Sequence, residues 1–463
     1  MEINGTTKTL CVFGDPIAHT LSPLIHRIFI EHTGDHYVYV PFHVTPDGLG
    51  AALNGAYAMG IEGINLTIPH KKAALAHVCG LDESARLVGA VNTLKRTPDG
   101  YRGCNTDVYG FMKLIELNEI PVKGQKVLVL GAGGAASSAV AAAVLMGAGE
   151  VVIYNRTASR AEELSADFNR KQSNVQVRVA ALTELEQGGF PIVFQTTSCG
   201  MTPNVDTVPV PEEAERFYQD IRYALDMVYT PPKTRFLSLA ASIGHAKAVS
   251  GGAMLFYQAL KAYEIWTNRT FSDSEASEML SEFNLRRAML SEQNRKIVLL
   301  GYMGSGKTSV GRALSEALSL PFIDLDDKIV QDHGLTIPEI FHNYGEETFR
   351  EWESEAMNEA LQAERCVLSL GGGTPLREEN RRHLKESGVK TVYLQETADT
   401  ALSRLMGDTG RPLLEGYDTK EALYEHISRM LGDRSMAYAD AASSVVVTDG
   451  KTIEEIMREV ILL

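Results

Sequence analysis

The string Gly301-Tyr-Met-Gly304-Ser305-Gly306-Lys307-Thr308 follows an apolar run, KIVLL, and precedes a helix-compatible run, SVGRALSEAL. It matches GxxxxGK[ST]. Glycines at these spacings let backbone N–H groups turn onto phosphate oxygens, and the following helix adds the positive end of its dipole. Lys307 is placed to reach β- and γ-phosphates, and the Thr308 hydroxyl to bind Mg²⁺. The expected ligand is a nucleoside triphosphate, cradled by Gly304, Ser305, Gly306, Lys307, Thr308 and Ser309.

A second turn, Gly131-Ala132-Gly133-Gly134-Ala135-Ala136, follows KVLVL and opens an alanine-rich helix. It reads GxGxxA, a permitted form of the dinucleotide fingerprint. The end of the next strand, Val151–Tyr154, discriminates between nicotinamide cofactors. An Asp or Glu there binds the ribose 2′-hydroxyl of NAD. This chain instead has Asn155-Arg156-Thr157, then Arg160. A carboxylate would repel a 2′-phosphate, whereas Arg156 and Arg160 can bind one, so NADP(H) is expected. Taken alone, Arg160 is simply a surface charge on a helix.

These turns need sheets to hold them. Up to about Asp107, short apolar runs (Leu10–Phe13, Tyr37–Phe42, Gly63–Ile68) alternate with helical segments such as Leu21–Glu31. Strands are expected next at Lys126–Leu130, Val151–Tyr154, Val175–Val179, Ile192–Gln195 and Tyr223–Val228, then helices over about 253–290. Ser291–Lys296 is polar without Gly or Pro and reads as a short linker. A last α/β unit opens at Lys296–Leu300, with strands at Cys366–Leu370, Thr391–Leu394 and Ser444–Val447. The fold class is α/β with doubly wound, mostly parallel sheets. Three domains are expected: 1–107, completed by the helices at 253–290; 108–252 around the dinucleotide turn; and 291–463 around the phosphate loop.

Bulk properties bound the function. The 463 residues exceed one ordinary domain, and 44% hydrophobic content supports packed cores. A net charge of −15 weighs against nucleic acid or an anionic membrane as partner. Five scattered cysteines without CxxC fit a reducing compartment. MEINGTTKTLCVFG lacks the apolar core of a signal peptide, and no run approaches the ~18 residues a bilayer span needs. A cytoplasmic enzyme acting on small molecules is expected; oligomeric state is left open.

The last unit resembles shikimate kinase over about residues 295–463. The resemblance is carried by Phe322-Ile-Asp324-Leu-Asp326, Gly345-Glu-Glu-Thr-Phe-Arg350, Gly371-Gly372-Gly373, Arg404 through Gly410-Arg411-Pro-Leu-Leu, and Arg434-xxx-Tyr438-x-Asp440, where the family usually has Glu at 440. It implies a P-loop kinase fold with a central parallel sheet. Arg350 and Arg434 would fork onto the shikimate carboxylate. Asp326 would bind ring hydroxyls and orient or deprotonate the attacking one, and Asp324 would lie near Mg²⁺. Gly371, Gly372 and Gly373 would bring backbone close to substrate. Arg411 would stabilise the transferring phosphate from a lid, with Arg404 nearer the adenine.

The first 285 residues resemble shikimate dehydrogenase. The segments are Gly14-Asp-Pro-Ile-Ala-His-Thr20-Leu-Ser22-Pro, Asn65-Leu-Thr67-Ile-Pro-His-Lys71, Gly89-Ala-Val-Asn92-Thr, Gly103-Cys-Asn105-Thr-Asp107, Asp226-Met227-Val-Tyr229 and Gly251-Gly-Ala-Met254-x-x-x-Gln258. The resemblance implies a substrate domain beside a Rossmann domain that binds NADP through residues 131–135, 155–157, Arg160, Met227 and Gly251. Lys71 and Asp107 would be the catalytic pair, lysine donating a proton to the nascent alkoxide and the carboxylate orienting it. Thr20, Ser22, Thr67, Asn92, Tyr229 and Gln258 would hydrogen-bond the substrate. Thr20 stands where the family usually has Ser, a departure that bears on shikimate against quinate. His19 and His70 lie near these motifs and read as structural.

Together the two resemblances imply consecutive steps in one chain: 3-dehydroshikimate to shikimate with NADPH, then shikimate to shikimate 3-phosphate with ATP and Mg²⁺. A regulatory sensor derived from either half would have lost reactive residues, but Lys71, Asp107, Lys307, Asp324, Asp326 and Arg411 are all present. A quinate dehydrogenase fused to another small-molecule kinase is the remaining alternative.

Overall fold

The computed structural model describes residues 2–172, 174–231, 233–292, 295–405 and 419–463. The chain forms two compact units, one ending at Phe283 and one beginning at Asn284. The division falls inside the helix Asp273–Glu292, before the polar Ser291–Lys296 stretch. Without Gly or Pro to stop it, that helix continues to Glu292.

The first unit holds two six-stranded sheets. One contains β1 (Lys8–Gly14), β2 (Tyr37–His43), β3 (Gly63–Leu66), β4 (Gly80–Leu81), β5 (Thr93–Thr97) and β6 (Gly100–Cys104), in the order β2-β1-β3-β5-β6-β4. It is mixed: β5 runs antiparallel to β3 and to β6. Leu10 of β1 packs with Phe29 and Phe256 on one face, while Cys11 and Phe13 join a second apolar cluster on the other. The second sheet contains β7 (Lys126–Leu130), β8 (Glu150–Tyr154), β9 (Gln176–Val179), β10 (Ile192–Gln195), β11 (Tyr223–Asp226) and β12 (Lys247–Ser250). Its order is β12-β11-β10-β7-β8-β9, and every pairing is parallel. Val127 and Val129 pack under the helix Gly134–Leu145, while Leu128 and Leu130 join Phe217 and Tyr218 on the reverse face. Burial on both faces explains the unbroken apolar run KVLVL.

The second unit has one five-stranded parallel sheet of β13 (Lys296–Leu300), β14 (Phe322–Asp324), β15 (Cys366–Ser369), β16 (Lys390–Gln395) and β17 (Ser444–Val447), ordered β14-β15-β13-β16-β17. The same alternation recurs: Val298 and Leu300 face one core, Ile297 and Leu299 the other. In such sheets ligands bind beyond the carboxyl ends of the strands, where the winding reverses. The turns after β7 and β13 both lie there. Among the described residues no helix is long and apolar enough to cross a membrane.

Candidate active sites

In the first unit a cavity of about 260 Å³ brings together Thr20, Ser22, Thr67, Lys71, Asn92, Asp107, Tyr229 and Gln258. All eight residues expected to meet substrate line it. Lys71 sits on the short helix His70–Ala73, just beyond β3. Asp107 is the second residue of the helix Thr106–Leu117, where the helix dipole favours an anion. Lys71 Nζ donates to Asp107 Oδ2 at 2.7 Å. The side chains are 26% and 10% exposed, so the lysine remains reachable while the carboxylate is largely enclosed.

Buried amides fix this pair. Asn92 Nδ2 donates to Asp107 Oδ1 at 2.9 Å, and Asn92 Oδ1 accepts from the Thr106 N–H at 2.8 Å. Asn92 lines the cavity, and its amide also sets the rotation of Asp107. Gln258 comes within reach because two helices approach closely at Gly110. A Cβ there would lie 2.7 Å from the Met254 carbonyl oxygen and 3.1 Å from Gln258 Cβ. Thr20 Oγ1 donates to Ser22 Oγ at 3.2 Å and accepts from the Ser22 N–H at 3.3 Å. The two hydroxyls therefore meet at the start of the helix Ser22–Thr33.

Asn65 also lines this cavity and was missed as a site residue. It accepts from the Tyr39 hydroxyl at 2.7 Å and donates to Thr93 Oγ1 at 3.1 Å. Its place two residues before Thr67, on the same face of an extended segment, is a signal that would have found it. His70 is buried with Nε2 2.7 Å from the Val44 carbonyl, a structural setting. His19 is exposed and lines the cavity.

The cofactor turn has the required backbone. Gly131 lies at φ +119, and a Cβ there would stand 2.6 Å from Thr196 Oγ1. Gly133 caps the helix Gly134–Leu145 in extended conformation, and nothing lies within 4 Å of a Cβ at Gly133 or Gly134. That leaves open space before the helix N–H groups, as a pyrophosphate requires. Asn155 Nδ2 donates to the Thr157 carbonyl at 2.8 Å, closing the turn that exposes Arg156. Ala132 and Arg160 line a second cleft of about 480 Å³. Gly251 packs on Met227, where a Cβ would be 2.9 Å from its Cα. Beneath them Asp226 is fully buried and accepts from Thr234 Oγ1 (2.6 Å), the Val228 N–H (2.9 Å) and Gln195 Nε2 (3.2 Å). Burial pushes its carboxyl up to about 6, against the pull of the Thr234 and Val228 bonds.

In the second unit a cavity of about 540 Å³ is lined by residues 304–309, Asp324, Asp326, Gly372 and Arg404. Gly304 (φ +85) and Gly306 (φ +90) adopt the left-handed backbone a phosphate cradle needs. Lys307 Nζ donates to the carbonyls of Gly301 and Tyr302, both at 2.9 Å. Thr308 Oγ1 donates to Asp324 Oδ2 at 2.9 Å, pairing the hydroxyl and carboxylate expected at Mg²⁺. Hard oxygen donors of this kind suit that ion. Asp324 Oδ1 also accepts from the Asp326 N–H at 3.2 Å. Burial, then the charges of Asp324 and Glu353, push the Asp326 carboxyl up to about 6, with Lys307 opposing.

Arg350, Gly371, Gly373 and Arg434 do not line that cavity but cluster beside it. A Cβ at Gly373 would overlap the Arg350 guanidinium, 2.1 Å from Nη1. A Cβ at Gly371 would lie 2.4 Å from Glu353 Oε1 and 3.0 Å from Asp326 Oδ1. Glu353, unremarked in the sequence, accepts from Arg350 Nη1 at 2.8 Å and from Thr374 Oγ1 at 2.7 Å. Its spacing of three from Arg350 on one helix is the signal. Tyr438 donates to the Gly372 carbonyl at 2.7 Å, and Arg434 lies 5.9 Å from the Tyr302 ring centre. Asp440 turns away to pair with Arg381 and Lys385. Arg404 Nη1 reaches the Gly304 carbonyl (3.3 Å) and Glu396 Oε2 (3.2 Å). Burial lifts the Glu396 carboxyl to about 7, with Arg404 and Lys307 opposing. Arg411 lies outside the described residues.

Comparisons with known proteins agree with this division. A family model for the shikimate dehydrogenase substrate binding domain matches residues 12–94, and one for shikimate / quinate 5-dehydrogenase matches 115–201. A shikimate kinase model matches 303–463. A shikimate dehydrogenase (NADP(+)) of Gloeothece citriformis is 35% identical over 283 residues, covering 61% of this chain and 98% of that protein. A crystal structure of a shikimate dehydrogenase in complex with NADP+ superposes with TM-score 0.55 at 32% identity, covering 61% and 97% of the two chains. A chorismate mutase/shikimate 5-dehydrogenase fusion protein from Clostridium acetobutylicum gives TM-score 0.56 at 28% identity, covering 61% and 98%.

Proposed function

The chain belongs to the shikimate dehydrogenase family and continues into a shikimate kinase unit, and on that premise we propose a bifunctional enzyme for two consecutive reactions. The first unit reduces 3-dehydroshikimate to shikimate with NADPH. The second phosphorylates shikimate to shikimate 3-phosphate with ATP. The observation that carries this reading is the 2.7 Å Lys71–Asp107 pair, set in a cavity lined by hydroxyls and amides.

When bound, NADPH supplies the hydride and Mg²⁺ATP the phosphoryl group. The chain's own residues do the rest. Reduction of a ring ketone leaves an alkoxide that must gain a proton. Lys71 Nζ supplies that proton, and its bond to Asp107 aims it into the cavity. Asn92 prevents Asp107 from rotating away. Thr20 and Ser22 meet the acid's carboxylate, while Thr67 and Gln258 meet its hydroxyls. Arg156, Arg160 and the 131–135 turn hold the cofactor's phosphates.

In the second unit Arg350 and Arg434 orient the carboxylate of shikimate. Asp326 receives the proton of the attacking hydroxyl. A carboxyl raised to about 6 is a better base at neutral pH than an ordinary aspartate while staying mostly ionised. Thr308 and Asp324 hold Mg²⁺, and Lys307 holds the β- and γ-phosphates. Positioning and charge dominate such a transfer.

The test is to give purified protein each half-reaction separately, with quinate offered beside shikimate. Shikimate is expected to be oxidised with NADP+ and phosphorylated with ATP, each faster than quinate. Faster turnover of quinate in the first reaction would move that assignment to the neighbouring substrate, for which the extra methyl of Thr20 is the visible cause.

A further inference from the structure

Two adjacent lysines on one short helix serve two different cavities. Successive residues of a helix point about 100° apart. On His70–Ala73, Lys71 faces the substrate cavity, whereas Lys72 lines the 480 Å³ cleft that also holds Ala132 and Arg160. Ala132 belongs to the dinucleotide turn. Arg160 lies on the first turn of the helix Ala158–Lys171, just beyond Asn155–Thr157.

The cleft is lined by two cations, Lys72 and Arg160, and two acids, one of which already has cationic partners from outside the lining. Its acidic groups are Glu163 and Asp167. Asp167 is already taken: Arg170 Nη2 and Lys171 Nζ each donate to it at 2.6 Å. Neither Lys72 nor Arg160 makes a side-chain hydrogen bond or ion pair among the described residues. Two cations sharing a recess without protein partners repel each other, and a dianion between them reverses the sign. Within the cofactor the doubly charged group is the ribose 2′-phosphate, and Arg160 stands on the wall expected to bind it.

We propose that Lys72 is a cofactor-specificity residue, reaching from the substrate domain to the 2′-phosphate of NADP(H) opposite Arg160. This rests on the NADPH reading given above. It sets the charge that distinguishes NADPH from NADH one residue away from the proton-holding Lys71.

The test measures NADPH and NADH dissociation constants on the full chain for Lys72→Glu, Lys72→Gln and Lys72→Arg, with Arg156→Asp as reference. The ratio of NADH to NADPH dissociation constants is expected to fall by about fivefold in Lys72→Glu and by roughly twofold in Lys72→Gln, the range for an exposed charge contact. Lys72→Arg is expected to retain it, and higher salt to shrink the differences. If Arg156→Asp collapses the ratio while Lys72→Glu leaves it unchanged, the assignment of Lys72 is wrong and the NADPH reading stands. Equal weakening of both cofactors would likewise overturn it, placing Lys72 on the pyrophosphate. No change in any of the four variants would remove the 2′-phosphate reading itself.

Discussion

Lys307→Ala is expected to lower shikimate phosphorylation by roughly 10²–10³-fold or more while leaving NADPH-dependent reduction at its wild-type rate. Losing one well-placed cationic donor to a charged transition state costs on that order. Lys307 opens the helix Lys307–Leu318 at the end of the phosphate loop, where its ammonium already bridges two loop carbonyls 2.9 Å away. A phosphate oxygen competes well for such an ammonium, because a charged acceptor makes the stronger bond. The variant removes no apolar core contact, since Lys307 lies among the cavity-lining residues and outside the two apolar clusters of its unit. Steady-state assays of both reactions on one preparation check the result. Loss of both activities would contradict catalysis by separate units.

Lys71→Ala is expected to reduce dehydrogenase turnover by about 10²–10⁴-fold, the usual worth of positioned acid–base assistance, with kinase activity unchanged. Asp107→Asn should fall within the same range. The amide keeps the shape of the carboxylate but cannot hold an ammonium by charge, and its NH₂ would face either the Asn92 NH₂ or the Lys71 ammonium. The double variant should cost little more than the worse single one, because the two residues act as a unit. Additive losses would mean that Lys71 and Asp107 work independently and that the 2.7 Å contact is incidental. The readout is kcat, with the KM for 3-dehydroshikimate reporting whether binding has also changed.

Much of this was legible in the residues, unevenly so. Runs such as KVLVL and KIVLL stand out because parallel strands covered on both faces carry no polar interruption. Their glycine-rich turns stand out because few other residues tolerate that backbone. The antiparallel β5–β6 hairpin was not foreseen. Its connection, Pro98-Asp99, leads into β6 at Gly100, which lies at φ +127, and its strands mix Lys95, Arg96 and Arg102 with apolar residues. β4, β12 and β14 have two to four residues each, too few to show a period. At the sites, family resemblance named candidate reactive residues but not the groups that support them. Asp226 depends on Gln195 and Thr234, and Glu353 on Thr374, partners brought together only by the sheet ends. Glu396 reads as an ordinary surface acid until β16 and the following helix bury it against Arg404.

One small acid must fit both clefts. The most direct measurement is a crystal structure of the full chain with shikimate. Two molecules per chain are expected: one within hydrogen-bond reach of Lys71 and Asp107, the other between Arg350 and Asp326. Shikimate missing from both clefts, or lying away from those four side chains, would contradict it.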